Sequence, residues 1–368
     1  MDIYDRLFGD SNEYYNDTGK PKYMDDNYFK NFHYSFIGER EQARKKKGKC
    51  IIPDCTDRCV SSHTIPESAV LKRVAHANEV LYPEYNAQLK VYECKPINIK
   101  KASAFPGFCV QHESIFSGFE VNGDFEDPSI ALQNLRIVYR YLFGLSSLTK
   151  VFKRKLAAYK KEITDYKLQR FSEVKRLLKE GLTLINIEDE ITLHLKSQIE
   201  KLENQYAYIH NEDLVPLVNT LSGEGSSISM IAVHLDCEVP MCLAGKSEFK
   251  SDDKKYTVHL SIFPRPGKTF CCFSLPKLHE EVFTKILIKH STDIGFLNVI
   301  ESWMVYGTDF WYINPTEWNS YSKEKQNKIM TLLKSTDHFP DEELDFTIFD
   351  NLRATILAKA EEDLTQKQ

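Results

Sequence analysis

The sequence predicts an α+β protein of 368 residues, built from a small zinc-binding piece, a long helical arm and a C-terminal α+β part with antiparallel strands. Three observations carry that expectation. Cysteine and histidine gather at both ends of the stretch from Cys50 to Glu120, as the ligands of a structural metal do. Apolar residues then recur at helical spacing through a long charged stretch. Past Ser222-Gly223-Glu224-Gly225-Ser226-Ser227 the pattern becomes short apolar runs bounded by turn residues. A hydrophobic content of 42% and an aromatic content of 12% allow a sizeable core.

Composition narrows the function. A formal charge of −5 does not suggest a general polyanion binder, so any nucleic-acid surface has to be a local basic patch. The acidic start Met1-Asp2-Ile3-Tyr4-Asp5 is not a secretory leader, and no apolar run reaches membrane-spanning length. A cytoplasmic protein without membrane association is expected. Nine cysteines in a reducing compartment favour metal ligation over disulfides.

The elements follow in order. Residues 1–48 read as an irregular arm that packs in part through Phe29, Phe32, Tyr34 and Phe36. The arm closes on the basic run from Arg40 to Lys49, either a solvated linker or a phosphate-contacting segment. Residues 49–127 form the cysteine-rich domain. Within it Val70, Leu71 and Val74 predict a short helix after Pro66, with candidate strands at Val80-Leu81, Leu89 to Tyr92 and Ile97 to Ile99. Residues 128–221 form the arm. The stripe Ile130, Leu132, Leu135, Val138, Tyr139 and Leu142 opens a helix, and Gly181 with Ile187 marks a break that predicts an antiparallel helical hairpin. Its lysines read as a solvated face.

Residues 222–368 form an α+β domain whose role the sequence leaves open. Strands are expected over 228–235, 239–243, 256–263 and 269–274, the last two joined at Pro264-Arg265-Pro266-Gly267. Helices are expected over 278–290, 323–334 and 352–362. His76, His234 and His259 alternate with apolar residues and read as parts of packed strands or helices. Cys271 and Cys272 are strand neighbours facing opposite ways, unsuited to joint ligation. Trp303, Trp311 and Trp318, with Phe310 and Tyr312, read as core rather than as a base-stacking platform. No glycine-rich phosphate loop, serine elbow or kinase set appears.

Zinc needs four donors, two from each of two elements that face one another. Cys50 and Cys55 bracket a Pro53-Asp54 turn that lets their thiolates converge, and Cys59 competes for either place. Cys109 and His112 are three apart, on one side of a first helical turn if a helix opens after Gly107-Phe108. The bland alternative is a set of packed cysteines and a surface histidine. His63, in Ser62-His63-Thr64-Ile65-Pro66, differs from these: an imidazole, with an unperturbed pKa near ~6.5, is a natural general base near neutral pH.

In this order the residues resemble the HNH endonucleases of the treble-clef, or ββα-metal, fold. Cys50 and Cys55 match the zinc knuckle, Ser62-His63-Thr64-Ile65-Pro66 matches the strand bearing the base, and Phe108-Cys109-Val110-Gln111-His112-Glu113 matches the second ligand pair at a helix start. More narrowly, these segments with Ala104-Phe105-Pro106-Gly107 and Phe116 to Glu120 look like a variant group of bacterial HNH-like proteins. The resemblance implies a metal-dependent hydrolase acting on DNA or RNA. His63 would be its base, Glu113 the ligand of a catalytic Mg²⁺ or Mn²⁺, and Cys50, Cys55, Cys109 and His112 the holders of a structural Zn²⁺. It also implies a place in bacterial defence against phage or mobile DNA, with a protein partner for the arm or the C-terminal domain. The chain departs from the pattern in carrying Ser62 where an acidic residue is common, in lacking an asparagine at Ala102-Ser103-Ala104, and in carrying Glu113 where many relatives have histidine. Asn98 is the nearest asparagine, at the wrong offset. Two alternatives stay open: His63 completing the zinc site, and a non-catalytic zinc-stabilised binding module.

Overall fold

The computed structural model describes residue 42 and residues 48–86, 91–122, 127–170, 190–225, 227–251, 254–333 and 344–366. The expected irregular arm, most of the basic run and the break near Gly181 lie outside the described residues. The described residues within 47–140 and 211–368 make one compact unit, and described residues 141–170 and 190–210 belong to a second. No described helix is long and apolar enough to cross a membrane.

After a looped knuckle the chain lays down β1 (Ser62–His63), then a π-turn (Glu67–Leu71) running into α1 (Lys72–Val74). β2 (Glu79–Asn86), β3 (Val91–Asn98) and β4 (Ala104–Phe105) follow. α2 (Val110–Glu113), a 3-10 turn (Ser114–Phe116) and α3 (Ser117–Asn122) lead to the long α4 (Asp127–Arg170). α5 (Glu190–Ile209), a π-turn (His210–Leu214) and α6 (Val215–Leu221) come next. The last part holds β5 (Ile228–Leu235), β6 (Met241–Ser251), β7 (Lys254–Arg265) and β8 (Lys268–Pro276). It continues with α7 (Glu280–Lys289), α8 (Asp293–Ser302), β9 (Trp311–Ile313), α9 (Pro315–Ser320), α10 (Lys323–Leu332) and α11 (Asp350–Gln366).

The fold is α+β, as expected, around an antiparallel seven-stranded sheet of order β3-β2-β9-β6-β7-β8-β5. Arg265 pairs with Lys268 across a two-residue turn in which Gly267 takes φ +70°, a left-handed conformation that glycine adopts without a Cβ penalty. β6 runs eight residues past the expected end at Leu243, because β7 pairs with it through to Ser251 opposite Lys254. Its outer half is polar, so only the pairing partner reveals it as strand. α8, β9 and α9 were not expected. Their caps were legible all the same: the Thr292 hydroxyl accepts from the Gly295 N–H, and Asn314 accepts from Thr316 and Glu317 ahead of Pro315.

Alternation along the strands divides the sheet into two buried faces. Leu243, Leu260, Ile262, Phe273 and Trp311 point into a core closed by α7, α8, α10 and α11 through Phe283, Leu297, Ile300, Ile329 and Ile356. The other face carries Cys242, Ala244, Ser261, Cys272 and Tyr312, all buried, with the Glu67–Leu71 turn and α1 packed against β7. Burial on both faces explains why these strands read as nearly unbroken apolar runs. Trp303, Trp311 and Trp318 are core residues, as expected.

The sequence-based boundaries place β2 and β3 in one domain and β5–β9 in another. In the fold Leu81 of β2 pairs with Ile313 of β9, and Trp311 of β9 pairs with Leu243 of β6, so one sheet runs through both segments. A three-residue strand with two fully buried side chains is held by partners on either side, and pairing at that distance along the chain leaves no local signal. The expected arm appears as the later part of α4 and as α5. Val151, Tyr159, Leu195 and Ile199 are buried there, and Lys153 pairs with Glu203 at 2.6 Å while both stay about half exposed.

Candidate metal centre

The knuckle is shaped by its backbone. The Cys55 N–H donates to Ile52 C=O at 3.2 Å, Asp54 takes φ +62° between them, and the Cys50 N–H donates to Asp57 C=O at 2.8 Å. Two further bonds tie this loop to the segment entering α2: Ile51 N–H to Gly107 C=O at 2.9 Å and Val60 N–H to Phe108 C=O at 2.7 Å. A Cβ on residue 107 would lie 2.3 Å from the Phe105 ring, so any larger residue than Gly107 would have to displace that buried ring. Below, Ser62 pairs with Phe105 and His63 with Ala104 in a two-stranded ladder.

These bonds bring Cys50, Cys55, Cys109 and His112 together. Their donor atoms lie within 4.8 Å of one another, and no other group of three or more such donors occurs among the described residues. His112 Nδ1 lies 3.3 Å from the sulfurs of both Cys50 and Cys109, and the Cys55 and Cys109 sulfurs are 3.9 Å apart. Tetrahedral zinc bonds set sulfurs roughly 3.8 Å apart and sulfur and nitrogen roughly 3.5 Å apart. The set fits a metal ion, and three thiolates with an imidazole suit zinc. Cys59 stands outside it: its sulfur accepts the Gly48 N–H at 3.1 Å, and its side chain is buried.

The electrostatics are graded. The backbone N–H of His112 holds the Cys109 thiol below its ordinary pKa, toward the thiolate. At Cys55 the Asp57 N–H acts in the same sense, but lost hydration and the Cys109 and Cys50 thiols push the balance upward. The Cys109 N–H also donates to the Cys50 sulfur at 3.3 Å, which orients that sulfur toward the set.

His63 is not a member of the donor set. Its Nε2 is buried without a hydrogen-bond partner and lies 3.7 Å from Glu67 Oε2, one turn further along the chain. Ser62 accepts the Phe108 N–H at 3.2 Å and is fully buried, so it joins β1 to the α2 entry. Glu113 follows the candidate ligand His112 on α2 and pairs with Arg136 of α4. The Arg136 guanidinium, fully buried, donates to Glu113 Oε1 and Glu120 Oε1 at 2.6 Å each and lies 4.4 Å from the Phe116 ring centre. Glu113 Oε2 is buried without a partner. The Asn98 Oδ1 accepts the Lys100 N–H in the turn after β3.

Sequence reasoning missed Arg136, Gln133 and Glu67. Gln133 Nε2 donates to the Thr64 carbonyl at 2.8 Å. Its spacing of three from Arg136 on one helical face was the available signal. Of the other histidines, His259 is buried as expected, while His76 and His234 are exposed. A cavity of about 250 Å³ is lined by Asn298, Glu301, residues 344–347 and Arg353, none of them a candidate site residue. No protein-family model, no curated protein and no solved structure matches the chain.

Proposed function

We propose that the chain is a zinc-clamped, HNH-like endonuclease that hydrolyses phosphodiester bonds in nucleic acid. The observation that supports this most is the placement of His63. His63 stands in the ladder next to Ser62, whose hydroxyl accepts the Phe108 N–H at the entry to α2; its ring is outside the donor set, with the Glu67 carboxylate 3.7 Å from its buried Nε2. The order of knuckle, two-stranded ladder and ligand-bearing helix supports a treble-clef arrangement.

In this reading zinc supplies cohesion, fastening the knuckle to α2. Glu67 faces Nε2 and stabilises the positive charge that forms on the imidazole, so Nδ1 is the nitrogen that takes a proton from the attacking water. A divalent Mg²⁺ or Mn²⁺ would neutralise charge on the phosphate. Glu113 is the carboxylate assigned to it, and only Oε2 is left by the pair with Arg136. The described residues supply no preformed second ligand set there. Nucleic acid as partner, a cytoplasmic setting and a role in defence against phage or mobile DNA belong to the same proposal.

The test is plasmid nicking with Mg²⁺ and Mn²⁺. His63→Ala is expected to retain stoichiometric zinc and lose roughly 10²- to 10⁴-fold in rate. Equal rates in both proteins would end the assignment of the base. One observation favours a second reading, a non-catalytic zinc-stabilised binding module: Arg136 already neutralises Glu113. That reading expects no cleavage with any metal and binding that His63→Ala leaves unchanged.

A further inference from the structure

We infer that Ser103 is a positioning residue for His63, acting through a hydroxyl clasp on the backbone that carries the ring; this rests on the reading of His63 as a general base. β1 has only two residues, and its ladder with β4 ends at the pair His63 and Ala104. Past that pair, Ser103 does the work of a missing strand partner. Its carbonyl accepts the Thr64 N–H at 3.1 Å. Its hydroxyl donates to the Ile65 carbonyl at 3.1 Å and accepts the Ile65 N–H at the same distance. The two residues after His63 are therefore held by one residue of the opposing turn.

The clasp is itself anchored. The Ser103 N–H donates to the Tyr312 hydroxyl at 2.7 Å, which ties it to β9 in the large sheet. From the other side Gln133 of α4 donates to the Thr64 carbonyl at 2.8 Å. Ser103 is 5% exposed and takes φ +57°, a left-handed conformation disfavoured for a residue with a Cβ by about 1–2 kcal/mol. A turn at that φ favours glycine or asparagine, so the local backbone gives no reason for serine. The hydroxyl's two bonds to Ile65 give one.

A base displaced by about 1 Å loses on the order of 10²-fold in rate, so a backbone clasp at this distance is enough to control the ring. The test uses the full chain with its zinc and three variants. Ser103→Gly removes the hydroxyl while accepting the positive φ, Ser103→Ala removes it without that relief, and Ser103→Thr keeps it. Zinc content and melting temperature establish that each is folded. Nicking kinetics then give kcat and KM, and ¹⁵N-edited NMR of the histidine rings, assigned by difference with His63→Ala, reports the order of the ring.

Ser103→Gly is expected to lower kcat about 10- to 100-fold with KM within twofold of wild type, and to broaden or double the His63 ring signal. Ser103→Thr is expected to recover most of the rate and a single sharp signal. A Ser103→Gly protein with wild-type kcat and one sharp His63 signal overturns the inference, as does a loss that Ser103→Thr fails to recover. If no protein cleaves, wild type included, the nuclease reading falls and the ring signal alone decides. Broadening in Ser103→Gly then still supports the clasp, and an unchanged signal refutes it.

Discussion

At the scale of single residues, two assignments separate side chains that sequence treats alike. Cys55 and Cys59 are both near Cys50, yet only Cys55 reaches the donor set, because the Asp54 turn folds it back while the Gly48 N–H engages Cys59. Cys55→Ser is therefore expected to bind well under one zinc per chain, and Cys59→Ser close to one; elemental analysis of the two purified proteins checks this. Equal zinc in both would reverse the choice. The donor cluster was legible because few residue types bind zinc and their spacing within each pair is short. Arg136 was not, since an arginine in a charged helix ordinarily reads as solvated. Fully buried between Glu113 and Glu120, it carries a different prediction. Arg136→Met leaves two carboxylates without their counter-charge and is expected to cost about 3–5 kcal/mol in denaturant unfolding. Adding Glu113→Gln and Glu120→Gln should recover most of that loss. A single variant as stable as wild type would mean that the pair contributes no net stability.

At the scale of elements, the candidate metal centre lacks the means to hold itself together without an ion. Its ladder has two pairs, and the helical run from Val110 to Asn122 is marginal on its own. The aromatic cluster of Phe105, Phe108, Phe116 and Tyr139 packs beneath it, but the knuckle over residues 50–60 joins that cluster chiefly through backbone bonds to residues 107 and 108. Removing zinc with a strong chelator is expected to deprotect amides of residues 50–60 and 105–122 in hydrogen exchange by at least tenfold, with β7 and β8 unchanged. Identical protection with and without metal would mean that the donors are ordered by packing alone. The sequence made the β7–β8 hairpin legible, since Pro266-Gly267 is a turn signal with a mechanism. It left β9 hidden, because three residues carry no period.

At the scale of the whole molecule, the unit is held by contacts no local pattern announces: one sheet through both segments, and a polar cluster where the chain returns from α5. There Asp213 accepts from Lys246 Nζ at 2.5 Å and lies 3.9 Å from His259 Nε2, with Lys246 and His259 opposite one another on β6 and β7. All three are largely buried, so the segment from the π-turn into α6 is fastened to the sheet by charge as well as by Leu214 and Leu217. Burial lowers the His259 pKa to about 4; Asp213 opposes that shift and Lys246 reinforces it. The folded protein therefore holds His259 neutral at a pH where the unfolded chain, titrating near ~6.5, takes up a proton. The unfolded state binds more protons across that window, so stability rises with pH through it. The His259 contribution is complete above about pH 6.5, falls as pH drops from 6.5 toward 4, and levels off below 4, with a full span on the order of 3 kcal/mol. Urea unfolding of wild type and His259→Gln at half-unit steps from pH 4 to 8 checks this. Their difference in unfolding free energy should be flat above pH 7 and shrink steadily below 6.5, with the variant losing less; parallel curves would show that His259 takes up its proton equally in the folded and unfolded states, its pair with Asp213 cancelling the effect of burial.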